Sequence, residues 1–296
     1  MHTKKISLLF ALLFVALSIS AQTHNVRRGS VSLTNKPSPS TSTKKNTSTT
    51  TNRKTSSSNS QKHSSQQNRR QASSFSQTLL NPVIQNLINN MVYIEGGTFT
   101  MGATSEPYND AYENEKPINQ VTVTSFFIGR YEVTQKEWEA VMGGNPSKFK
   151  GANRPVEQVS WDDCQIFIHK LNSITGKKFC LPSEAEWEFA ARGGNKSHKY
   201  KYAGGNDIEY VAWYQNTSHN ETHNIGTKSA NELGLYDMSG NVCEWCCDRN
   251  GSGCVNRGGS WIQFEDRCRI LSRNSLSPNF RYNYIGLRLV CHDKKL

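Results

Sequence analysis

Acidic residues are absent from a long N-terminal part of the chain. Residues 22–94 of the 296-residue sequence contain ten Lys or Arg and no Asp or Glu. From Glu95 onward the chain has 23 of its 35 basic residues and all 24 acidic residues, so this part is close to neutral although the whole chain carries +11. The basic excess therefore belongs to the N-terminal tract, and the C-terminal part does not have the charge of a nucleic-acid-binding domain.

Long hydrophobic runs are equally scarce. The one clear apolar run, Ile6 to Leu17, follows Lys4 and Lys5 and ends in small residues up to Ala21. It is shorter than the roughly 20 residues that a bilayer-spanning helix needs, which favours a cleavable signal peptide over residues 1–21 rather than an uncleaved anchor. We expect a periplasmic, secreted or cell-surface protein. No Cys follows the run to accept an N-terminal lipid, and no other segment is apolar enough to be transmembrane.

Apolar side chains are nearly missing from residues 22–77, which consist mainly of Ser, Thr, Asn, Gln and Lys. Such a tract buries too little surface to offset its chain entropy, so we expect a disordered linker. Its basic charge leaves two roles open, a solvated spacer or an electrostatic tether to an acidic cell-surface polymer. Residues 78–296 have a globular composition and form the predicted domain.

Helix signals within this domain are local and clear. Apolar spacing predicts a helix over Thr78–Asn90, with Pro82 in its first turn. Thr134, Ser160 and Ser183 each precede an acidic residue by three positions, which predicts capped helices over 135–142, 161–173 and 184–192. After Gly193 the sequence is rich in Gly, Asn, Tyr and Trp and indicates loops and short strands. The mixture predicts an α+β domain that is irregular and loop-rich.

Six motifs in order resemble the formylglycine-generating enzyme, or sulfatase-modifying factor, family from Met91 to the C-terminus. The resemblance implies an irregular α+β fold related to C-type lectins. Under it, Trp187 is expected in the core, Trp261 as a buried anchor, and Arg273 and Arg288 as partners of buried carboxylates or carbonyls. The motifs are MVYIEGGTFTMG, YEVTQKEWEAVMGGNPSKF, RPVEQVSWDDCQIFIHKLNSITGKKFCLPSEAEWEFAARGG, ANELGLYDMSGNVCEWCCD, NRGGSWIQFEDRCRILSRNSLSP and IGLRLV.

The resemblance also implies where catalysis would occur. Active members oxidise a sulfatase cysteine to formylglycine with copper, dioxygen and two cysteines that follow the GGS-aromatic motif. Here Ile262, Gln263 and Phe264 occupy the region of the first cysteine, and Glu265 that of the second when counted back from Arg273. The one thiol of this stretch is Cys268, which its neighbours Arg267 and Arg269 would acidify. Without a partner thiol brought by folding, such as Cys254 or Cys291, the copper site is incomplete.

Eight cysteines lie in the domain, and their pairing cannot be deduced from sequence. We expect at least one disulfide, because export permits disulfides. Four of them are clustered, which leaves disulfide or core roles, a zinc or copper cluster, and a catalytic thiol as alternatives. The clustered four are Cys243, Cys246, Cys247 and Cys254.

Calcium is a second metal that the resemblance implies. In the family, Gly-Asn-x-x-Glu-Trp holds a structural Ca²⁺, which carries over to Asn241, Val242 and Glu244 as oxygen ligands. The alternative is that Asn241 merely caps a turn. A second family site would use Asn216, but Gly226 stands where its Asp belongs. His219 and His223 lie in a polar loop and are expected to be solvated.

Three functional hypotheses are compatible with the sequence. The first is a non-catalytic binding or envelope scaffold protein, a pseudoenzyme whose partner is a protein or glycan ligand in the cell envelope. The second is a formylglycine-generating oxidase with displaced cysteines, acting on a sulfatase-type peptide. The third is an enzyme of another chemistry. The missing thiol pair favours the binding protein, and fold alone does not decide.

Overall fold

The fold was analysed in a computed structural model that describes residues 80–102, 113–116 and 118–296. The predicted signal peptide (1–21) and basic tract (22–77) lie outside the described residues. Within the described part, no helix has both the length and the apolar character to cross a bilayer.

The predicted helices form, and their ends are set by capping. Thr134, Ser160 and Ser183 each accept a hydrogen bond from the third helical N–H, while the acidic residue at that position accepts one from the cap, a reciprocal arrangement that satisfies two otherwise unpaired donors. Gly143 and Gly176 end two helices in the left-handed conformation. The helices are α1 (Pro82–Asn89), α2 (Gln135–Met142), α3 (Trp161–Thr175), α4 (Glu184–Ala191) and the short α5 (Ile208–Val211).

Ten short strands make three small sheets, which confirms an α+β domain. The first sheet has the order β1-β4-β10-β5, the second pairs β2 with β3, and the third has the order β8-β7-β6-β9, in which only β6 and β9 are parallel. The strands are β1 (Met91–Ile94), β2 (Gly97–Met101), β3 (Asn119–Val123), β4 (Phe126–Gly129), β5 (Phe179–Cys180), β6 (Cys243–Asn250), β7 (Gly253–Arg257), β8 (Arg273–Leu276), β9 (Ile285–Gly286) and β10 (Val290–Cys291).

The core lies on both sides of the first sheet. One cluster packs α2 and α3 together, with the Trp138 ring stacked on Phe167 at 4.9 Å. The other surrounds α4, where Trp187 is buried as predicted and Phe189 is buried as well. The Trp261 side chain is also buried, and its indole N–H donates to the Asn283 carbonyl at 2.8 Å.

Buried charged side chains connect the irregular segments to the sheets. Arg288 donates to Glu244 and to the carbonyls of Gly129 and Tyr236, so a single guanidinium joins three parts of the chain. Arg273 likewise pairs with Glu184, as the sequence predicted for an arginine of the loop region. Loop backbone that lacks regular partners needs such groups to satisfy its hydrogen bonds.

Candidate functional site

A polar cavity of about 260 Å³ opens beside the GGSW motif, where β7 ends and the chain crosses to β8. Among the described residues that line it, three are arginines and none is Asp or Glu. The lining residues are Cys243, Asn256, Arg257, Gly259, Gln263, Arg267, Ser272, Arg273 and Asn274. We call this cavity the GGSW pocket.

Two glycines shape one wall of the GGSW pocket. Gly258 and Gly259 have φ values of +94° and +74°, a backbone conformation that favours glycine. A Cβ atom at Gly259 would lie 2.6 Å from the Arg267 carbonyl oxygen and 2.7 Å from Cys268 Sγ. Only glycine allows this approach. The following Trp261 fixes the turn, since its backbone N–H donates to the Asn241 carbonyl at 2.8 Å.

Folding places a second thiol near Cys268, but it is neither of the two that sequence suggested. Cys268 is wholly buried, whereas Cys243 lines the GGSW pocket and donates to Gln263 Oε1 at 3.5 Å. Burial raises the pKa of Cys243 to about 12. Burial, followed by the nearby Cys243, raises the pKa of Cys268 even more. Both groups are therefore thiols and not thiolates at neutral pH.

The expectation that Arg267 and Arg269 acidify Cys268 is wrong. Arg269 turns away into a buried ion pair with Glu115 at 2.8 Å, and Arg267 lies at the pocket, 3.6 Å from Asp266. The two arginines are next to Cys268 in the sequence, but in the fold their side chains are directed elsewhere. Burial of the sulfur then dominates its pKa.

The side chains that replace the family's cysteine pair now have defined positions. Gln263 lines the GGSW pocket. Ile262 and Phe264, on either side of it, are 39% and 59% exposed. Glu265 begins a 3₁₀ turn that runs to Arg267. Of the three residues in the region where the resemblance places the first thiolate, the amide residue Gln263 lines the cavity and the two apolar residues are exposed.

Two buried nitrogens of residues that line the GGSW pocket make no hydrogen bond within the described part of the chain, although one of them, Arg257 Nε, is in an ion pair with Glu184 Oε1 at 3.5 Å. Asn256 and Arg257 are each only 1% exposed, and neither Asn256 Nδ2 nor Arg257 Nε makes a hydrogen bond. The other nitrogens of Arg257 are satisfied by Glu188 and by the Leu271 and Ser272 carbonyls. Unpaired buried donors are uncommon and require an explanation such as a ligand or water.

The residues predicted to bind calcium are together but already engaged. Both carboxylate oxygens of Glu244 accept from Arg288, and Oε2 also accepts from the Trp187 indole at 2.7 Å. Asn241 Oδ1 accepts from the His223 N–H at 2.9 Å. These contacts do not suit a cation at Glu244, because the ion would have to displace a buried guanidinium. The calcium assignment to Asn241, Val242 and Glu244 stays a prediction.

Two buried carboxylates of this region gave no signal in the sequence. Glu132 accepts from Asn241 Nδ2 and from the Val242 N–H, and Asp237 accepts from the Gly226 N–H at 2.7 Å. Burial is the main cause that raises the pKa of Glu132 well above its usual value, and it raises that of Asp237 to about 6. Glu132 is 109 residues from Asn241, and Asp237 is 11 residues from Gly226. Only the fold shows that these two carboxylates and their partners lie in one region.

The other candidate residues from the sequence are Asn216, His219 and His223. Asn216 is exposed, and its calcium role stays a prediction. His223 is not simply solvated, since it stacks on Trp213 at 3.7 Å, while His219 is exposed. Within the part of the chain that is described, no group of three or more His, Cys, Asp or Glu is arranged to hold a metal.

The cysteine cluster of the sequence disperses in the fold. Cys246 and Cys254 are buried in different core clusters, Cys243 lines the GGSW pocket, and Cys247 is exposed. This agrees with core roles for two of them and gives no four-thiol metal centre. All eight cysteines are free thiols, so the structure contains no pair for the predicted disulfide.

Comparison with known proteins gives several similar proteins. The chain is 33% identical to the chaperone protein LppX of Paenibacillus barcinonensis, covering 68% of this chain and 89% of that one. It is 25% identical to the formylglycine-generating enzyme of Thermomonospora curvata, with 69% and 94% coverage. It is 26% identical to the inactive C-alpha-formylglycine-generating enzyme 2 of Bos taurus, with 67% and 87% coverage.

A solved structure and a family model agree with these relatives. The structure of Treponema denticola variable protein 1 matches with a TM-score of 0.62 and 31% identity, covering 69% of this chain and 95% of that one. The family model that matches residues 76–293 is described as the sulfatase-modifying factor enzyme 1-like domain. The six motifs, the α+β architecture and this match, which extends over most of the chain, together show that the protein belongs to the sulfatase-modifying factor enzyme 1-like family.

Proposed function

We propose that this protein is an exported, non-catalytic binding protein that takes a protein or glycan ligand of the cell envelope in the GGSW pocket. The observation that carries the proposal is the composition of the pocket wall. Under the family resemblance, Gln263 falls in the region of the first catalytic thiol, and it lines the GGSW pocket. Cys268 is fully buried next to Gly259. Cu(I) prefers soft sulfur ligands, and an amide is a poor substitute.

The named relatives support a family in which catalysis is dispensable. One is called a chaperone, one a variable protein and one an inactive enzyme. The loops bordering the pocket carry exposed Phe264 and Ile262 beside polar side chains, a composition that suits recognition. A periplasmic, secreted or cell-surface location is part of the proposal and derives from the signal-peptide pattern.

The oxidase alternative is favoured by one specific observation, the thiol of Cys243 near Cys268. In that case Cys243 and Cys268 would hold the copper ion, which would supply the activation of dioxygen. Burial works against this role, because it raises the pKa of both thiols and metal binding requires thiolates. We therefore keep the oxidase as the second candidate.

A peptide-oxidation assay separates the two functions. The copper-treated mature protein is incubated with a Cys-x-Pro-x-Arg peptide, and formylglycine is measured by mass spectrometry beside the Thermomonospora curvata enzyme as positive control. We expect no product above a no-protein control. Product that disappears in both Cys243→Ser and Cys268→Ser would overturn the binding proposal and establish the displaced pair.

The proposed binding function is tested with a variant in which a larger side chain fills the GGSW pocket. Gln263→Trp places a large side chain at the cavity, whereas Ile174→Trp places the same side chain on a remote helix surface where Ile174 is 46% exposed. We expect purified envelope peptides or glycans to bind the wild type and the Ile174→Trp protein, and to lose affinity for Gln263→Trp. Equal binding by all three proteins would show that the ligand does not use the GGSW pocket.

A further inference from the structure

We propose that Cys180 and His292 form a site for thiol–disulfide exchange with low-molecular-mass disulfides, in which Cys247 supplies the second thiol. None of these three residues lines the GGSW pocket, so the inference does not depend on the proposed binding function. Three observations support it: a thiol hydrogen-bonded to a histidine, a carboxylate that orients this histidine, and a second, exposed thiol on a neighbouring strand.

The first thiol lies within reach of a base. Cys180 ends β5 and is half-buried, and His292 directly follows β10, which pairs with β5 in the antiparallel direction. Cys180 Sγ is 3.7 Å from His292 Nδ1, so the thiol and the imidazole are hydrogen-bonded. The His292 side chain is 44% exposed, which allows a small solute to approach the pair from solvent.

The carboxylate of Glu186 determines which imidazole nitrogen carries the proton. Glu186 Oε1 lies 2.6 Å from His292 Nε2, and Oε2 accepts from the N–H and the hydroxyl of Ser183. A carboxylate only accepts hydrogen bonds, so Nε2 carries the hydrogen and Nδ1 offers its lone pair to the Cys180 thiol. The three side chains are thus arranged as a nucleophile, a base and a positioning residue that orients the base.

The second thiol lies on β6, which runs beside the segment that follows β5. The Cys247 N–H donates to the carbonyl of Pro182 at 2.8 Å, only two residues from Cys180. The Glu184 N–H in turn donates to Asp248 at 2.6 Å. Cys247 is exposed and is one of the groups that raise the pKa of Cys180, which agrees with a short distance between the two thiols.

The surroundings of Cys180 explain why it needs a base. Burial, followed by the charge of Glu186, raises the pKa of Cys180 to about 12, so little of the thiol loses its proton to solvent at neutral pH. Transfer to His292 is different, because the charge that opposes a free thiolate favours the imidazolium. The reactive thiolate therefore forms as an ion pair. The ionisable groups that face Cys180 are Glu186, His292, Cys247 and Cys291.

The exchange takes place in two steps. In the first, Cys180 passes its proton to His292 Nδ1, and its sulfur attacks one sulfur of the small disulfide. A mixed disulfide forms, and the other half leaves as a thiolate and takes the proton from His292. In the second, Cys247 loses its proton to solvent and attacks the sulfur of Cys180, which releases the second small thiolate to be protonated by solvent. Two protein thiols are oxidised, and the small disulfide is reduced to two thiols.

Oxidised glutathione serves as the probe for the two thiols. The mature protein is reduced, freed of reductant and incubated with the probe without oxygen, and the modified cysteines are mapped by mass spectrometry after acid quenching and alkylation. We expect the wild type to form the Cys180–Cys247 disulfide. The Cys247→Ser protein should stop at a glutathione adduct on Cys180.

The base is tested in the Cys247→Ser protein, in which the first step is measured alone. We expect His292→Gln to slow adduct formation about tenfold or more, since a positioned base contributes roughly 10²–10⁴-fold. Glu186→Gln keeps the helix cap, because Gln also serves in a capping box, and should slow the step several-fold. His198→Gln is the matched control, since His198 is an exposed histidine that pairs with Glu232 and not with a thiol. Its rate should be unchanged.

The pH profile separates a base from a structural residue. With His292 in place, the rate should fall as acid protonates the imidazole, which then accepts no proton, and should level off above that titration. In His292→Gln the rate should instead rise steadily toward the alkaline range as the thiol itself ionises. Equal melting temperatures of the two proteins show that the variant is folded.

Three results would contradict the inference. The same pH profile with and without His292, or equal slowing by His198→Gln, would overturn the base. A first adduct on Cys247 would overturn the order of the two thiols. A wild type that accumulates the adduct without forming the Cys180–Cys247 disulfide would overturn the pair. Failure of the pocket variant Gln263→Trp to alter ligand binding bears only on the proposed function and leaves this inference unchanged.

Discussion

Arg288 and Glu244 form a completely buried ion pair, in which the guanidinium donates to both carboxylate oxygens at 2.6–3.0 Å. Glu244 is in strand β6, and Arg288 lies between β9 and β10, so the pair joins the third sheet to the first. Arg288 also donates to the carbonyls of Gly129 and Tyr236, and Glu244 also accepts from the Trp187 indole. The residue that the family resemblance gave to calcium therefore serves as the counter-ion of an arginine.

Breaking this pair should be strongly destabilising. We expect Arg288→Met to lower the free energy of unfolding by about 3–5 kcal/mol, because it leaves the Glu244 carboxylate buried without its cation. Arg281→Met, which removes an exposed arginine paired with Asp163, should cost about 0–1 kcal/mol. Urea denaturation of both variants measures the difference. Similar decreases in the free energy of unfolding for the two variants would show that the buried Arg288–Glu244 pair contributes no more to stability than an exposed pair.

The calcium prediction can be checked through stability, since an ion that binds only the folded state must stabilise it. Because Glu244 is already neutralised by Arg288, we expect the melting temperature to be the same in EDTA and in millimolar calcium. A rise with calcium that persists in Arg288→Met but vanishes in Asn241→Ala would instead support the site predicted from sequence. Calorimetry of the chelated protein gives an independent measure of binding.

Stability should fall as the pH rises through the range in which Glu157 ionises. Burial raises the pKa of Glu157 from 4.5 to about 7, so the folded state holds a proton that the unfolded state has released. Its contribution is complete below pH about 4.5 and is lost by pH about 7. Glu157→Gln should flatten this slope between pH 5 and 8 in urea denaturation. The exposed Glu139→Gln serves as the control and should leave the slope unchanged.

In the reduced protein, the eight thiols should react with alkylating reagents in two groups. Cys247 is exposed and Cys180 half-buried, whereas the other six are buried, so we expect these two to be modified first in the folded protein. Their reaction should be slow at pH 7, because burial raises the pKa of Cys247 to about 11 and that of Cys180 to about 12. Mass mapping after timed exposure to iodoacetamide checks the order.

The same experiment decides the predicted disulfide. Protein isolated after export and alkylated without reduction should show fewer than eight modified cysteines after denaturation if a disulfide forms. We expect Cys180 and Cys247 to be the missing pair, since they are the accessible thiols and the backbone of Cys247 is bonded to the nearby Pro182 carbonyl. Eight modified thiols would refute the disulfide.

Gly259 should be far less tolerant of a side chain than another glycine of the same conformation. Gly259 and Gly143 have φ values of +74° and +80°, but a Cβ at Gly259 would meet backbone at 2.6 Å whereas one at Gly143 would meet nothing within 4 Å. Gly143→Ala should cost about 1–2 kcal/mol from backbone strain alone. Gly259→Ala should cost more and should distort the GGSW pocket. Equal costs in urea denaturation would show that the contact with Arg267 and Cys268 relaxes freely.

Local sequence determined the helices and the turn of this protein. The three capping boxes fixed helix starts at residues 135, 161 and 184, because the cap and its partner lie three residues apart and act within one turn. Gly258 and Gly259 permit the turn for an equally local reason, since a residue without a Cβ adopts positive φ at little steric cost. The family followed from six ordered motifs, and with it the α+β class.

Only the tertiary structure decided which side chains meet. Cys243 lies next to Cys268 and on the opposite side of the sheet from Cys246, because residues an odd number of positions apart on the β6 strand point to opposite sides. Glu244 meets Arg288 across 44 residues, a contact that depends on how two sheets pack. The acidity of Cys268 was misjudged for the same reason. Neighbouring charges are visible in a sequence. Burial, which raises the pKa of Cys268, is a property of the folded chain.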